Sequence, residues 1–382
     1  MKRFVLFVSV SGFCMADAFD AGAVMFMIYP GARATGMGGA FTAVSDDPLC
    51  LYYNPGGLGL LESMEFHYQY APWLRTLSPD AEYEWLGIVI PLPKNRGNIG
   101  FHYTYLTPGE IDVYDDTGAY RGSFWPYDWE AGLDYGVGLR RDFWELGLGG
   151  GFKYFYSFLV PEWVMREILG EAGGGSARTL AFDLGVLNKL QPRFVIGPTR
   201  FSGGLNLGLA FLHLGPSIDY TPGDTSKGDP IPYTMRVGLA FPCSLRFYLR
   251  DTSVFFGING LYANDWNKVL VYFDVDLRQK GWEYILHEGF LSEGKELGIE
   301  FQAFRMRCGG RFWTGRFIDI YGWRIGPTWG KGFFLGITPY AEISINEFSD
   351  DTYIYEFNWW GDAVPNRRYS VQARFMSPWR IF

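Results

Sequence analysis

From about residue 62 onward the chain is written in segments of roughly ten residues, in which large apolar residues alternate with small or polar ones. Leu133, Tyr135, Val137 and Leu139 alternate with Gly132, Asp134, Gly136 and Gly138. Leu205, Leu207, Leu209 and Phe211 alternate with Gly204, Asn206, Gly208 and Ala210, and the same period recurs at Leu180–Val186 and Met235–Phe241. A period of two sends these sets to opposite faces of a strand. In a soluble sheet the face away from the core is crowded with Lys, Glu and Thr; here it is mostly Gly, Ala and Asn. An apolar face paired with a small, sparsely polar one suits a transmembrane barrel with lipid outside and a filled lumen. The segment length agrees with the roughly 9–11 residues a tilted membrane strand needs.

Composition narrows the alternatives. With 50 glycines in 382 residues and 19% aromatics, an ordinary soluble enzyme is disfavoured. A chain that is 48% hydrophobic and 19% charged has too much apolar surface for disorder. Its 33 basic and 41 acidic residues lack the basic footprint of a nucleic-acid binder. No uncharged apolar run is long enough for a membrane helix. Met1-Lys2-Arg3, the apolar stretch Phe4 to Met15 and Ala16-Asp17-Ala18 predict a signal peptide over residues 1–18. Phe13 stands where a lipobox before Cys14 needs a small residue. Cys50, Cys243 and Cys308 then remain, an odd and widely spaced set that predicts neither a disulfide framework nor a metal site.

About fourteen strands are expected, starting near Glu62, Glu82, Gly97, Asp128, Phe143, Ala177, Phe201, Tyr233, Thr252, Lys268, Lys295, Met306, Gly326 and Arg368. The connections around Thr107–Tyr127, Phe158–Ser176 and Leu214–Pro232 are long and are expected outside the cell. On this count Gln279–Glu293 becomes a long periplasmic connection, so the topology between residues 242 and 295 stays open. Pro161–Gly170 reads as a short loop helix, and Gly173-Gly174-Gly175-Ser176 as a hinge. Trp73, Trp85, Trp125, Trp129, Trp144, Trp266, Trp282 and Trp359 are candidates for interfacial aromatic girdles.

Charges inside the strands are informative. Asp134, Lys153, Asp183, Arg236, Asp274, Asp276, Glu300 and Arg374 share the parity of the small residues and are expected in the lumen, as are His67 and His102. An Arg on the lipid face costs about 2–4 kcal/mol at the midplane. There is no G-x-S-x-G elbow and no HExxH, so no catalytic site, metal or cofactor is expected.

Residues 31–59 differ from everything after them: a compact run of small residues, G-A-R-A-T-G-M-G-G-A-F-T-A-V-S-D-D-P-L-C-L-Y-Y-N-P-G-G-L-G. Such an element is able to pack closely on a glycine-lined wall. The run resembles the opening of the PorV/PorQ family within the FadL-like barrels, through Gly31–Ala34, Met37–Ala40, Ala43, Val44, Asp46, Asp47, Tyr52, Asn54, Pro55, Gly57 and Leu58. It departs at Gly56, where that family usually has Ala. Further resemblance runs through Ala71–Leu74, Phe182–Gly185, Gly215–Tyr220, Ile231-Pro232 with Met235–Gly238, and Leu297–Glu300.

The resemblance implies a hatch over residues 19–60 inside a barrel of residues 61–382. Its hatch residues are Gly31, Arg33, Met37, Gly38, Gly39, Asp46, Asp47, Asn54, Pro55 and Gly56. It also implies the outer membrane of a diderm bacterium and a PorV-like role in type IX secretion. The partners of that role are a translocon and cargo C-terminal domains. The alternative is FadL-like passage of a hydrophobic ligand. The terminal Phe382 is similar to the end signature of outer-membrane barrels.

Overall fold

The computed structural model describes residues 22–37, 39–72, 78–170, 175–196, 199–220, 229, 231–249, 252–270, 295–305, 308–318, 327–338, 341–353 and 363–376. The signal peptide, Gly38, Trp73, Asp274, Asp276, Trp282, Trp359 and Phe382 lie outside the described residues, as do the side chains of Trp266 and Glu300.

The strands are β1 (Ser63–Pro72), β2 (Glu82–Pro91), β3 (Asn98–Thr107), β4 (Ile111–Tyr114), β5 (Tyr120–Phe124), β6 (Tyr127–Arg141), β7 (Trp144–Val160), β8 (Gly175–Leu190), β9 (Arg193–Ile196) and β10 (Thr199–Gly203). They continue as β11 (Leu205–Leu214), β12 (Tyr233–Ala240), β13 (Cys243–Leu249), β14 (Thr252–Leu270), β15 (Lys295–Arg305), β16 (Cys308–Ile318), β17 (Pro327–Thr338), β18 (Ala341–Tyr353) and β19 (Ala363–Met376).

Fourteen of them pair antiparallel in the order β1-β2-β3-β6-β7-β8-β11-β12-β14-β15-β16-β17-β18-β19, and β19 pairs back onto β1. The ladder therefore returns to its first strand, which is how a barrel removes its edges. β9, β10 and β13 form a small extension on the first part of β14. The hairpin β4–β5 stands apart from the ring.

Two expectations about strands are corrected. Thr252–Leu270 is one strand of 19 residues, not two, pairing first with β13 and then with β12. Ala341–Tyr353 is a strand that the sequence reading did not separate. Because β14 is continuous, Leu270 lies at the end of the ring where β1, β3 and β7 finish, while Gln279–Glu293 lies outside the described residues. The short turns at 92–97 and 142–143 share the opposite end. In barrels of this kind short turns are periplasmic and long loops extracellular.

Side-chain burial follows the two-residue period. On β6 and β8, Leu133, Tyr135, Val137, Leu180, Phe182 and Leu184 are exposed outward, while Glu130, Asp134, Ala181 and Asp183 are buried. An apolar exterior on a cyclic antiparallel sheet is the architecture of an outer-membrane β-barrel. No described helix is long and apolar enough to cross a membrane.

The outer ends of β3, β6 and β7 carry an aromatic belt in which Trp129 meets Tyr103, Tyr154 and Tyr156. Trp85 departs from the girdle expectation: it is fully buried and faces inward with Tyr83. The outward parity of β2 is set by Leu86, Ile88 and Ile90, with Glu82 and Glu84 at its outer end, so Tyr83 and Trp85 turn to the lumen. Glu162–Leu169 forms a helical turn that ends at left-handed Gly170 and packs on the β4–β5 hairpin through Val164, Val113 and Phe124.

Candidate functional site: a plugged lumen

Residues 22–61 cross the interior of the ring. The helix Ala32–Gly36 lies against β16–β19, and the 3-10 turn Pro55–Leu60 lies against β6, β7 and β8 on the opposite side. Local sequence explains the shape. Gly31 has φ 87°, a left-handed conformation that suits glycine. Asn54 is extended, accepts the Gly56 N–H at 3.0 Å and precedes Pro55 at the first position of the turn. Its amide also donates to the carbonyls of Thr42 and Val186, each at 2.9 Å, so one side chain ties the turn both to its own segment and to the wall.

The packing here is backbone on backbone. A Cβ added at Gly149 would strike the Pro55 carbonyl, at Gly147 the Gly56 carbonyl, at Gly138 the Gly59 carbonyl, and at Gly208 the Thr42 carbonyl. Gly136 and Gly185 face Gly59 and the Asn54–Gly56 turn in the same way. The approach is reciprocal. A Cβ at Gly56 would come within 2.7 Å of the Leu187 nitrogen and 2.8 Å of the Val186 Cα. An alanine at this position would therefore strike the wall backbone.

Polar wall residues pin the plug to other strands. Arg236 donates to Thr42 Oγ1 and to the Gly39 carbonyl at 2.9 Å each, and lies 4.9 Å from the Tyr29 and Tyr53 rings. Arg368 donates to the Tyr29 carbonyl, Asn206 to the Ala43 carbonyl at 3.2 Å, and Gly31 N–H to Gln69. Asn98 reaches the carbonyls of Leu58 and Leu61, and Arg140 that of Leu60 at 2.5 Å. Within the plug, Arg33 pairs with Asp46 at 2.6 Å and Asp47 at 2.9 Å. Burial works to raise the Asp46 carboxyl, but the Arg33 charge and hydrogen bond prevail and hold it well below the usual range. For the fully buried Asp47, burial wins and its carboxyl is pushed up. Met37, Pro55 and Gly56 are buried. A cleft of about 210 Å³ at the short-turn end, lined by Gly59, Asn95, Gly97, Gly138 and Arg140, abuts the plug.

Nearer the extracellular end, inward glycines are covered by side chains. Trp85 lies over Gly87, His102 over Gly132, and Asp134 over Gly151. His67 and His102 are both register partners of Gly87, and the Trp85 ring sits in their row, 5.4 Å from the His67 ring. His102 is held between Glu130 at 3.0 Å and Asp134 at 3.2 Å. Lys153 pairs with Asp183 at 2.6 Å, and Arg374 with Glu65 at 2.8 Å. Glu130 escaped the sequence reading, although it shares the inward parity of its strand. The plug residue Phe26 closes over this network, stacked on His213 at 4.6 Å and 4.9 Å from Lys153 Nζ.

The wall changes character beside that network. The β8–β11 ladder shifts register between Phe211 and Leu214 and stops at Phe182. His213 has φ 60° and donates its N–H to Asp183 at 2.7 Å instead of to the ladder. Among the described residues, the outer end of β8 is bordered on this side by the segment after Leu214: Thr179 donates to the Pro216 carbonyl, and Tyr233 to that of Gly215. Ile218 and Ile231 are buried there in the same apolar cluster as Phe26.

No family model matches the sequence, and no curated protein matches it. Solved structures are similar in fold. The Pseudomonas putida toluene transporter TodX aligns over 91% of this chain and 98% of its own at 10% identity, TM-score 0.42. A Pseudomonas aeruginosa FadL homologue aligns over 90% and 98% at 10% identity, TM-score 0.37. The Ralstonia pickettii toluene transporter TbuX aligns over 91% and 98% at 11% identity, TM-score 0.37. The ladder that returns to its first strand and its apolar exterior make the chain an outer-membrane β-barrel with an occupied lumen.

Proposed function

We propose that this barrel passes hydrophobic small molecules across the outer membrane, with residues 22–61 acting as a hatch. The carrying observation is the stretch of wall between β8 and β12. Its outer half is closed by Gly215–Tyr220 in place of a ladder, next to the apolar cluster of Phe26, Ile218 and Ile231. A lumen packed backbone on backbone is poorly suited to a water-filled pore, whereas a loop-closed wall facing lipid offers an apolar molecule a route without strand separation. The PorV-like role in type IX secretion is supported by the motif resemblance alone, so passage is the reading adopted. Uptake of a radiolabelled hydrocarbon by cells should fall on deletion of the gene while secreted proteins with C-terminal sorting domains still reach the surface. Unchanged uptake together with loss of those proteins would reverse the assignment.

A further inference from the structure

Past the level of the β6–β7 turn the ring carries a small sheet of its own. β8 already runs 16 residues, more than the roughly 9–11 that a membrane strand needs, before β9 begins. The β6–β7 hairpin ends beside it there: Leu190 is the register partner of Trp144, and Gln191 donates its N–H to the Phe143 carbonyl at 2.7 Å. β9, β10, β13 and the first part of β14 continue beyond that point as an antiparallel sheet. Among the described residues β9 pairs with β10 alone, so its other edge offers backbone groups that no strand has taken.

The two faces of this sheet differ. Phe194, Phe201, Leu245 and Phe256 are successive register partners and make one apolar row. On the other face the row is Val195, Arg200, Arg246 and Phe255, so two arginines stand directly opposed. Like charges in that position are destabilising until an anion meets them. Arg193, Arg200 and Arg246 are the charged residues of β9, β10, β13 and Thr252–Ile258, which hold no Asp or Glu, in a chain whose net charge is -8. Pro192 and Pro198 confine the open edge to the four residues of β9, and its positive charge disfavours pairing with a second copy.

We infer that the β9 edge is a periplasmic docking site for an extended segment of another protein, one in which acidic and apolar residues alternate. Added as a strand beside β9, such a segment continues the ladder with its backbone, brings its carboxylates to the arginine face and its apolar residues to the phenylalanine row. Charge complementarity selects the acidic strand. No lumen residue takes part, so the site stands independently of the passage reading.

The test uses the full-length barrel in detergent and three fluorescent peptides, read by anisotropy. They are alternating glutamate and valine, alternating lysine and valine, and the glutamate peptide with its backbone amides N-methylated. The unmethylated glutamate peptide is expected to bind at least about tenfold tighter than either of the others and to slow amide exchange within Arg193–Ile196. In Arg200→Glu with Arg246→Glu the preference should turn towards the lysine peptide. Heat-modifiable gel mobility verifies the variant barrel, and Arg193→Glu, which should weaken the preference for glutamate, serves if the double variant does not fold. Equal binding of the glutamate and lysine peptides, or a preference unchanged in the variants, would overturn the docking site. Equal binding of the N-methylated peptide would overturn strand addition and leave a basic surface of the kind that meets anionic lipid headgroups. A barrel dimer, seen by sedimentation, that excludes the peptides would give the edge to a second copy instead. Absence of binding by any peptide would overturn the site while leaving hydrocarbon passage untouched.

Discussion

Gly149 and its neighbours show what a missing methyl group does in this interior. At Gly149 the nearest plug atom is a carbonyl oxygen of Pro55, which is backbone and cannot swing aside. Gly149→Ala is therefore expected to push the Asn54–Gly59 turn off the wall and to destabilise the barrel by about 1–3 kcal/mol, seen as a lower temperature of gel-mobility change. The glycine excess was readable in the sequence, and so was its parity. What the sequence could not supply was the partner: whether an inward glycine meets plug backbone, as Gly149 does, or a neighbouring side chain, as Gly132 does with His102. Those partners lie on strands whose register is fixed only in three dimensions. Trp85 was misjudged for a related reason. Aromatic residues near strand ends read as girdles, but outward Leu86, Ile88 and Ile90 fix the parity of β2 and turn Trp85 inward.

Elements hold the plug through a few directed groups. β12 contributes Arg236, buried to 1%, whose two hydrogen bonds end on Thr42 and Gly39. Arg236→Ala leaves those acceptors unmatched, a loss of about 1–3 kcal/mol in plug retention. Planar-bilayer recordings should then show ion-conducting openings that are rare or missing in the parent protein.

The extracellular β4–β5 hairpin is fixed differently. Asp115 accepts from Thr117 Oγ1, from the backbone N–H groups of Ala119 and Thr117, and from Arg121. These bonds, the Thr117 hydroxyl and the Ala119 amide foremost, hold its carboxyl down at about 2. A depressed carboxyl stabilises the fold above its ordinary titration range, near 3.9, and that contribution fades as pH falls through the folded value. Protection of the Thr117 and Ala119 amides, taken relative to intrinsic exchange at each pH, should persist at pH 4 and fall as pH nears 2, whereas Asp115→Asn should show little protection throughout.

At this scale the alternation of single strands was legible, yet β14 was split and β18 overlooked. Asn264-Asp265, just ahead of Lys268, reads locally as a turn, and the acidic run of Glu347, Asp350 and Asp351 reads locally as a loop. The two errors offset each other, which is why the expected count agrees with the fourteen-membered ring.

The whole molecule joins a closed ladder, an apolar exterior and an interior filled by the chain's own N-terminal part. Orientation follows from connection length and is checked by surface labelling. A cysteine at Gly118 should react with an impermeant maleimide on intact cells, while one at Lys94 should react only after the outer membrane is breached. The most direct test of the central claim uses a residue already present. Cys50 sits in the plug with no exposed surface, and burial pushes its thiol well up, so it should be a poor nucleophile. With Cys243 and Cys308 replaced by serine, a small water-soluble maleimide should leave Cys50 unmodified in the folded barrel and label it fully after heat denaturation. Prompt labelling of Cys50 in the folded barrel would mean that water reaches the heart of the plug, and would contradict the sealed lumen on which the account rests.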